Sequence, residues 1–163
     1  MTCAWATACT STAGNCTASE NAAAPLAVQT RHLVAYAATL GVMVALDLLW
    51  LGVIAKPIYQ RGIGHLMAEQ PRIGVAALFY MVFALGLTIF AVAPGGSAAG
   101  WAKTAGTGAL FGFFCYATYD LTNLATLRDW PVGVSLLDMA WGTAASAVAA
   151  LAGCAALERF GTS

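Results

Sequence analysis

The sequence predicts an all-α integral membrane protein: a four-helix bundle with both termini on the same side and a disordered N-terminal tail. Three observations predict it. Of 163 residues, 60% are hydrophobic and 9% are charged, and the mean hydropathy is +0.76. A soluble domain carries about 25% charged residues, so a water-soluble fold of this size would lack polar side chains for its surface. Four apolar runs then approach the roughly 20 residues needed to cross a bilayer. Finally, each run is bounded by proline, glycine or charged residues, which are turn and boundary signals. The length allows one domain. The net charge of zero leaves no basic footprint for nucleic acid.

Residues 1–30 form the predicted tail. They are rich in Ala, Thr, Ser and Cys with almost no large apolar residues, a composition that buries little and predicts disorder. No basic start followed by a compact apolar core marks a signal peptide. The transmembrane domain is expected over 31–160, with spans at about 33–54, 74–93, 104–127 and 133–157. Arg31 and His32 precede the first span, and Lys56-Pro57 ends it. The connector over 55–73 suits a short interfacial helix with Ile58, Tyr59, Ile63, Leu66 and Met67 on its apolar side. Pro94-Gly95-Gly96-Ser97 signals a turn after the second span, and Trp101 and Lys103 suit the membrane–water boundary. Arg128-Asp129-Trp130-Pro131 makes a tight, aromatic-anchored link between the third and fourth spans, and Glu158-Arg159 closes the last.

Orientation rests on few charges. Arg31, Lys103 and Arg159 fall on the terminal side, and Lys56, Arg61, Arg72 and Arg128 on the other. The positive-inside rule leans towards cytoplasmic connectors between spans one and two and between spans three and four. Small residues recur at intervals of four: Gly108 and Gly112, then Gly142, Ser146 and Ala150, then Ala145, Ala149 and Gly153. Such spacing lets helices approach closely. It serves packing within the bundle or a homo-oligomer interface.

Polar groups inside the spans mark the candidate site. A helix rises about 1.5 Å per residue. Asp47 and Asp120 therefore lie roughly 10 Å inside the same membrane face, Asp138 roughly 8 Å and Tyr80 roughly 9 Å. Four spans thus carry a polar group at one depth. Tyr116, Tyr119, Asp120 and Asn123 follow i, i+3, i+4, i+7 spacing and share a face. Asp47 with Trp50, and Asp138 with Trp141, form two Asp-x-x-Trp pairs on oppositely directed spans. Each mid-membrane aspartate costs about 2.5–3.5 kcal/mol on an insertion scale. Such residues persist where they find partners or function.

Three functional readings follow. The Asp, Tyr, Asn and Trp groups can hold a ligand, proton or cation, as in a small transport or binding module. They can serve a membrane enzyme acting on a lipid or another apolar substrate. They can fix packing in an accessory subunit. Against an enzyme, the chain has no nucleophile motif, no HExxH and no glycine-rich phosphate loop, and both histidines lie outside the spans. No catalytic residue is assigned. The five cysteines show no paired metal spacing, no metal site is expected, and composition names no cofactor. The lipid bilayer is the one partner the composition implies.

At Leu46-Asp47-Leu48-Leu49-Trp50-Leu51-Gly52, and above all from Tyr116 to Trp141, the chain resembles a bacterial family of predicted membrane proteins, the domain of unknown function 2177 family. The likeness covers about residues 31–157, and Tyr-Asp-Leu-Thr-Asn-Leu-Ala-Thr is its most specific stretch. The resemblance implies a four-span protein of the cell inner (cytoplasmic) membrane with no assigned activity. It carries over no functional residue.

Overall fold

A computed structural model describes residues 20–95 and 100–160, with side chains from Thr30 onward. All regular elements among them are helical. They are α1 (Glu20–Leu49), α2 (Lys56–Ile63), α3 (Ile73–Leu87), α4 (Trp101–Thr126) and α5 (Val132–Arg159). Single π-helical turns at Trp50–Ile54 and Thr88–Val92 extend α1 and α3. Residues 1–19, including Cys3, Cys9 and Cys16, residues 96–99, on which part of the expected turn falls, and residues 161–163 lie outside the described residues. The expected tail stretches to residue 30, whereas α1 already begins at Glu20. Ala22, Ala23 and Ala24 explain the difference. Alanine is the strongest helix former, while the disorder expectation weighed only the lack of large apolar side chains.

Among the described residues, three stretches are long and apolar enough to cross a membrane: Thr30–Ile54, Ile73–Val92 and Val132–Arg159. The expected third span, α4, matches them in length with 26 residues but is not among them. Its sequence interleaves Thr104, Thr107, Thr118, Thr122 and Thr126 with Asp120 and Asn123. The outer surface of the helices is greasy: Leu33, Leu48, Val53, Val82, Phe90 and Leu136 are all more exposed than buried. Soluble proteins rarely expose apolar side chains so contiguously, whereas lipid accepts them.

α5 is the central element and packs along both α4 and α1. Glycine sets how closely. A methyl group on Gly142 would run into the Tyr116 ring, and one on Gly112 would meet the Gly142 carbonyl and the Ser146 side chain. A methyl on Gly108 would lie 2.7 Å from Ala150 Cβ. Three turns further along α5, Gly153 faces Ala35 and Thr39 of α1 and Val92 after α3. The contacts 108 with 150 and 116 with 142 make α4 and α5 antiparallel. Those of 39 with 153 and 47 with 141 do the same for α1 and α5. All the small-residue faces foreseen from sequence are thus buried inside the chain. Met43, Leu87, Val92, Phe83 and Leu157 fill the core around them.

The connectors are built for tight approach. α2 lies against the start of α5, and Gly62 permits it, since a Cβ there would stand 3.0 Å from Val134 Cγ2. Tyr59 is its buried residue, Ile63 is half-buried, and Ile58, Leu66 and Met67 remain exposed. In the α4–α5 link, Asp129 takes a left-handed conformation with φ 61°, which Asp tolerates better than most side chains. Trp130 of the same link is buried and donates from Nε1 to Ser135 Oγ at 2.9 Å.

Candidate functional site

Helical periodicity on α3 builds one wall of a cavity that holds two carboxyl groups, Asp47 and Asp138. Arg72, Val75, Ala76, Phe79, Tyr80 and Phe83 stand at i, i+3, i+4, i+7, i+8 and i+11, one continuous face, and all line it. α1 and its π turn add Asp47, Trp50 and Leu51. α2 adds Tyr59, α4 adds Cys115, Tyr116 and Tyr119, and α5 adds Asp138 and Trp141. The cavity volume is about 570 Å³, within the range of small-molecule sites. Leu51, Val75, Phe79 and Tyr119 line it and are also exposed, so its mouth opens sideways between the helices.

The two Asp-x-x-Trp pairs meet here. The Trp50 and Trp141 rings stack with centroids 4.2 Å apart and planes 4° from parallel. Trp141 donates from Nε1 to Asp47 Oδ1 at 2.8 Å, and the Tyr80 hydroxyl also reaches Asp47. The partner half of the motif does not repeat this pattern. Trp50 Nε1 turns instead to the Tyr59 hydroxyl at 3.4 Å. Asp138 is more than nine-tenths buried and has no hydrogen-bond partner among the described residues. The π turn over Trp50–Ile54 makes the asymmetry possible. It shifts the backbone bond to Ala55 N–Trp50 O at 2.7 Å and re-aims the end of α1 towards α2. Single π turns of this kind are frequent at functional sites.

Of the nine residues singled out from sequence, seven line this cavity: Asp47, Trp50, Tyr80, Tyr116, Tyr119, Asp138 and Trp141. Asp120 and Asn123 do not. Asp120 is fully buried beside Ser135, and neither of its oxygens has a partner in hydrogen-bonding geometry. Helix rotation accounts for the split. Each residue turns the chain by about 100°, so Asp120 points away from Tyr119 and towards the start of α5. Asn123 points nearly as Tyr116 does but lies two turns farther along α4, beyond the cavity, where it is half-buried.

Sequence reasoning missed Arg72 and Tyr59 as lining residues. The α3 periodicity was the available signal for Arg72, because it continues the Tyr80 face back to the helix start. Arg72 ends in no hydrogen bond or ion pair among the described residues beyond its backbone carbonyl, which caps Val75 N at 3.0 Å and Ala76 N at 3.1 Å.

Apolar helices, a greasy outer surface and a cavity with carboxyl groups between the helices define a membrane protein. The chain belongs to the DUF2177 family, described as a predicted membrane protein, whose model matches residues 32–155. No curated protein and no solved structure matches it.

Proposed function

We propose that the chain crosses the membrane four times and binds an organic cation in the Asp47–Asp138 cavity, as the cargo or ligand site of a small transport or binding module. α4 supports the fourth crossing by its length and by how it hides its polarity. Thr107, Thr118, Thr122 and Thr126 each donate to the carbonyl four residues back, at 2.6–2.9 Å. In hydrocarbon such bonds satisfy hydroxyls that would otherwise be orphaned. With α5 antiparallel to α1 and α4, four crossings put both ends of the chain on one side, in the cytoplasmic membrane.

The observation that carries the ligand reading is Asp138. The residue is buried, yet its carboxyl makes no hydrogen bond among the described residues and opens onto an aromatic-walled space beside a second carboxyl group, where it can accept from a ligand. Ring faces attract cations, and carboxylates add charge-assisted bonds. Two carboxylates and neutral phenols fall short of the roughly six to eight oxygens around calcium. An ammonium group suits the mixture better.

The test is titration of purified protein in neutral detergent with octyltrimethylammonium, followed by tryptophan fluorescence. The stacked indoles report occupancy directly. D47N and D138N should each weaken binding about tenfold or more, while octanol gives no saturable change. Unaltered affinity in both folded variants would sink the reading.

A further inference from the structure

We infer that the cavity takes a zwitterionic amino-phospholipid: its ammonium between Asp47 and Asp138, its phosphate against Arg72, and its chains leaving through the sideways mouth. The inference rests on the proposed cation site and names its ligand class. Three observations carry it.

The first is the order of chemistry along the wall of α3. Arg72 sits just before α3 begins, at the end of the expected span, and Tyr80 sits about two turns further along, within reach of Asp47. At about 1.5 Å per residue the separation along the axis is roughly 12 Å. The cavity is therefore cationic at its entrance and anionic at its floor. A ligand that meets both ends carries a negative group nearer the membrane surface and a positive group held deeper. An amino-phospholipid entering headgroup first from the side presents both.

The second is that each end holds a charged side chain with no partner of its own, although Asp47 already accepts from Trp141. Asp138 has no hydrogen-bond partner among the described residues. Arg72, exposed, is held by no side-chain hydrogen bond or ion pair there. The two do not neutralise one another, so an intervening zwitterion would pair both. Arginine suits phosphate because its planar fork donates two parallel bonds.

The third is the wall between the ends. Val75, Ala76 and Phe79 are apolar, and Leu51, Val75 and Phe79 reach the outer surface. A soluble phospho-amine would leave this wall wet, and an acyl chain would cover it. The lipid is thus favoured over a free headgroup of the same charge pattern.

The test uses four probes on the purified full chain in neutral detergent: lysophosphatidylethanolamine, lysophosphatidylglycerol, chainless phosphoethanolamine and octyltrimethylammonium. Lysophosphatidylethanolamine should bind about tenfold tighter than either of the next two. R72Q should weaken it about tenfold and leave octyltrimethylammonium within about twofold. R72K should recover part of the loss. D138N should weaken both ammonium probes. If R72Q leaves lysophosphatidylethanolamine untouched, the phosphate assignment is wrong; if lysophosphatidylglycerol binds as well, the headgroup ammonium goes unread and the amino-lipid is wrong; in either case the cation site survives through octyltrimethylammonium. Equal binding of chainless phosphoethanolamine overturns the lipid. Failure of the wild type to bind octyltrimethylammonium removes the cation site and this inference together.

Discussion

Trp141 Nε1 donates to Asp47 Oδ1 at 2.8 Å while its ring stacks on Trp50. One side chain thus ties α5 to α1 by a charge-assisted bond and by aromatic contact at once. The sequence-equivalent donor, Trp50, makes only a 3.4 Å bond to a neutral phenol. Hydrogen bonds to charged groups contribute about 1.5–3 kcal/mol, and neutral ones about 0.5–1.5 kcal/mol. W141F should therefore lower stability by about 1.5–3 kcal/mol, and W50F by less than half of that. Reversible unfolding in mixed micelles measures both. Equal losses would show that the asymmetry has no energetic weight.

Close glycine contacts give a second prediction. G142A and G112A place a methyl group where Tyr116 and the Gly142 carbonyl already stand. Overpacking of this kind costs about 1–3 kcal/mol. Gly41 and Gly106 have open space at the same position, and alanine is the better helix former by about 1 kcal/mol. G41A and G106A should be neutral or stabilising in the same assay. The first pair behaving like the second would mean that α4 and α5 do not meet at these glycines.

Asp120 separates depth from site membership. Residue order puts it at the expected depth of Asp47 and Asp138, but it lies outside the cavity, with neither oxygen in hydrogen-bonding geometry. D120N replaces a buried carboxyl beside Ser135 and keeps the shape. It should leave octyltrimethylammonium affinity within about twofold and hold or raise stability. A large loss of binding in folded D120N would place Asp120 in the site after all.

The fourth crossing has a parity test. Reporter domains fused at the two ends of the chain should report the same compartment, and one inserted in the Arg128–Pro131 link should report the other. With three crossings the two ends fall on opposite sides. Same-side ends with the link also on that side would mean α4 and α5 do not both span.

α2 also makes a prediction, because Tyr59 is its single buried residue and contacts Trp50. Y59F keeps the ring and loses the bond, so it should change octyltrimethylammonium affinity by less than about threefold. Y59A uncovers the aromatic stack and should speed dissociation markedly. Stopped-flow quenching distinguishes the two. Identical off-rates would show that Tyr59 does not cover the cavity.

Much of this molecule was legible before any coordinates. The second apolar run was expected at 74–93, and the helix and its π turn occupy Ile73–Val92. The first and last runs agree as closely. Length, hydrophobicity and the depth of each aspartate are local properties, fixed by residue order and a constant rise per residue. Rotation about the helix axes is not local. Which of several equally deep polar groups meet depends on how Gly142 admits Tyr116, how Gly62 admits α5, and how one π turn swings Trp50 towards Tyr59. Sequence therefore determined that acidic groups fall within the helices of a membrane protein. Only the packing of the helices separated Asp138 from Asp120 and brought Arg72, a residue at the edge of a span, to the mouth of the same cavity.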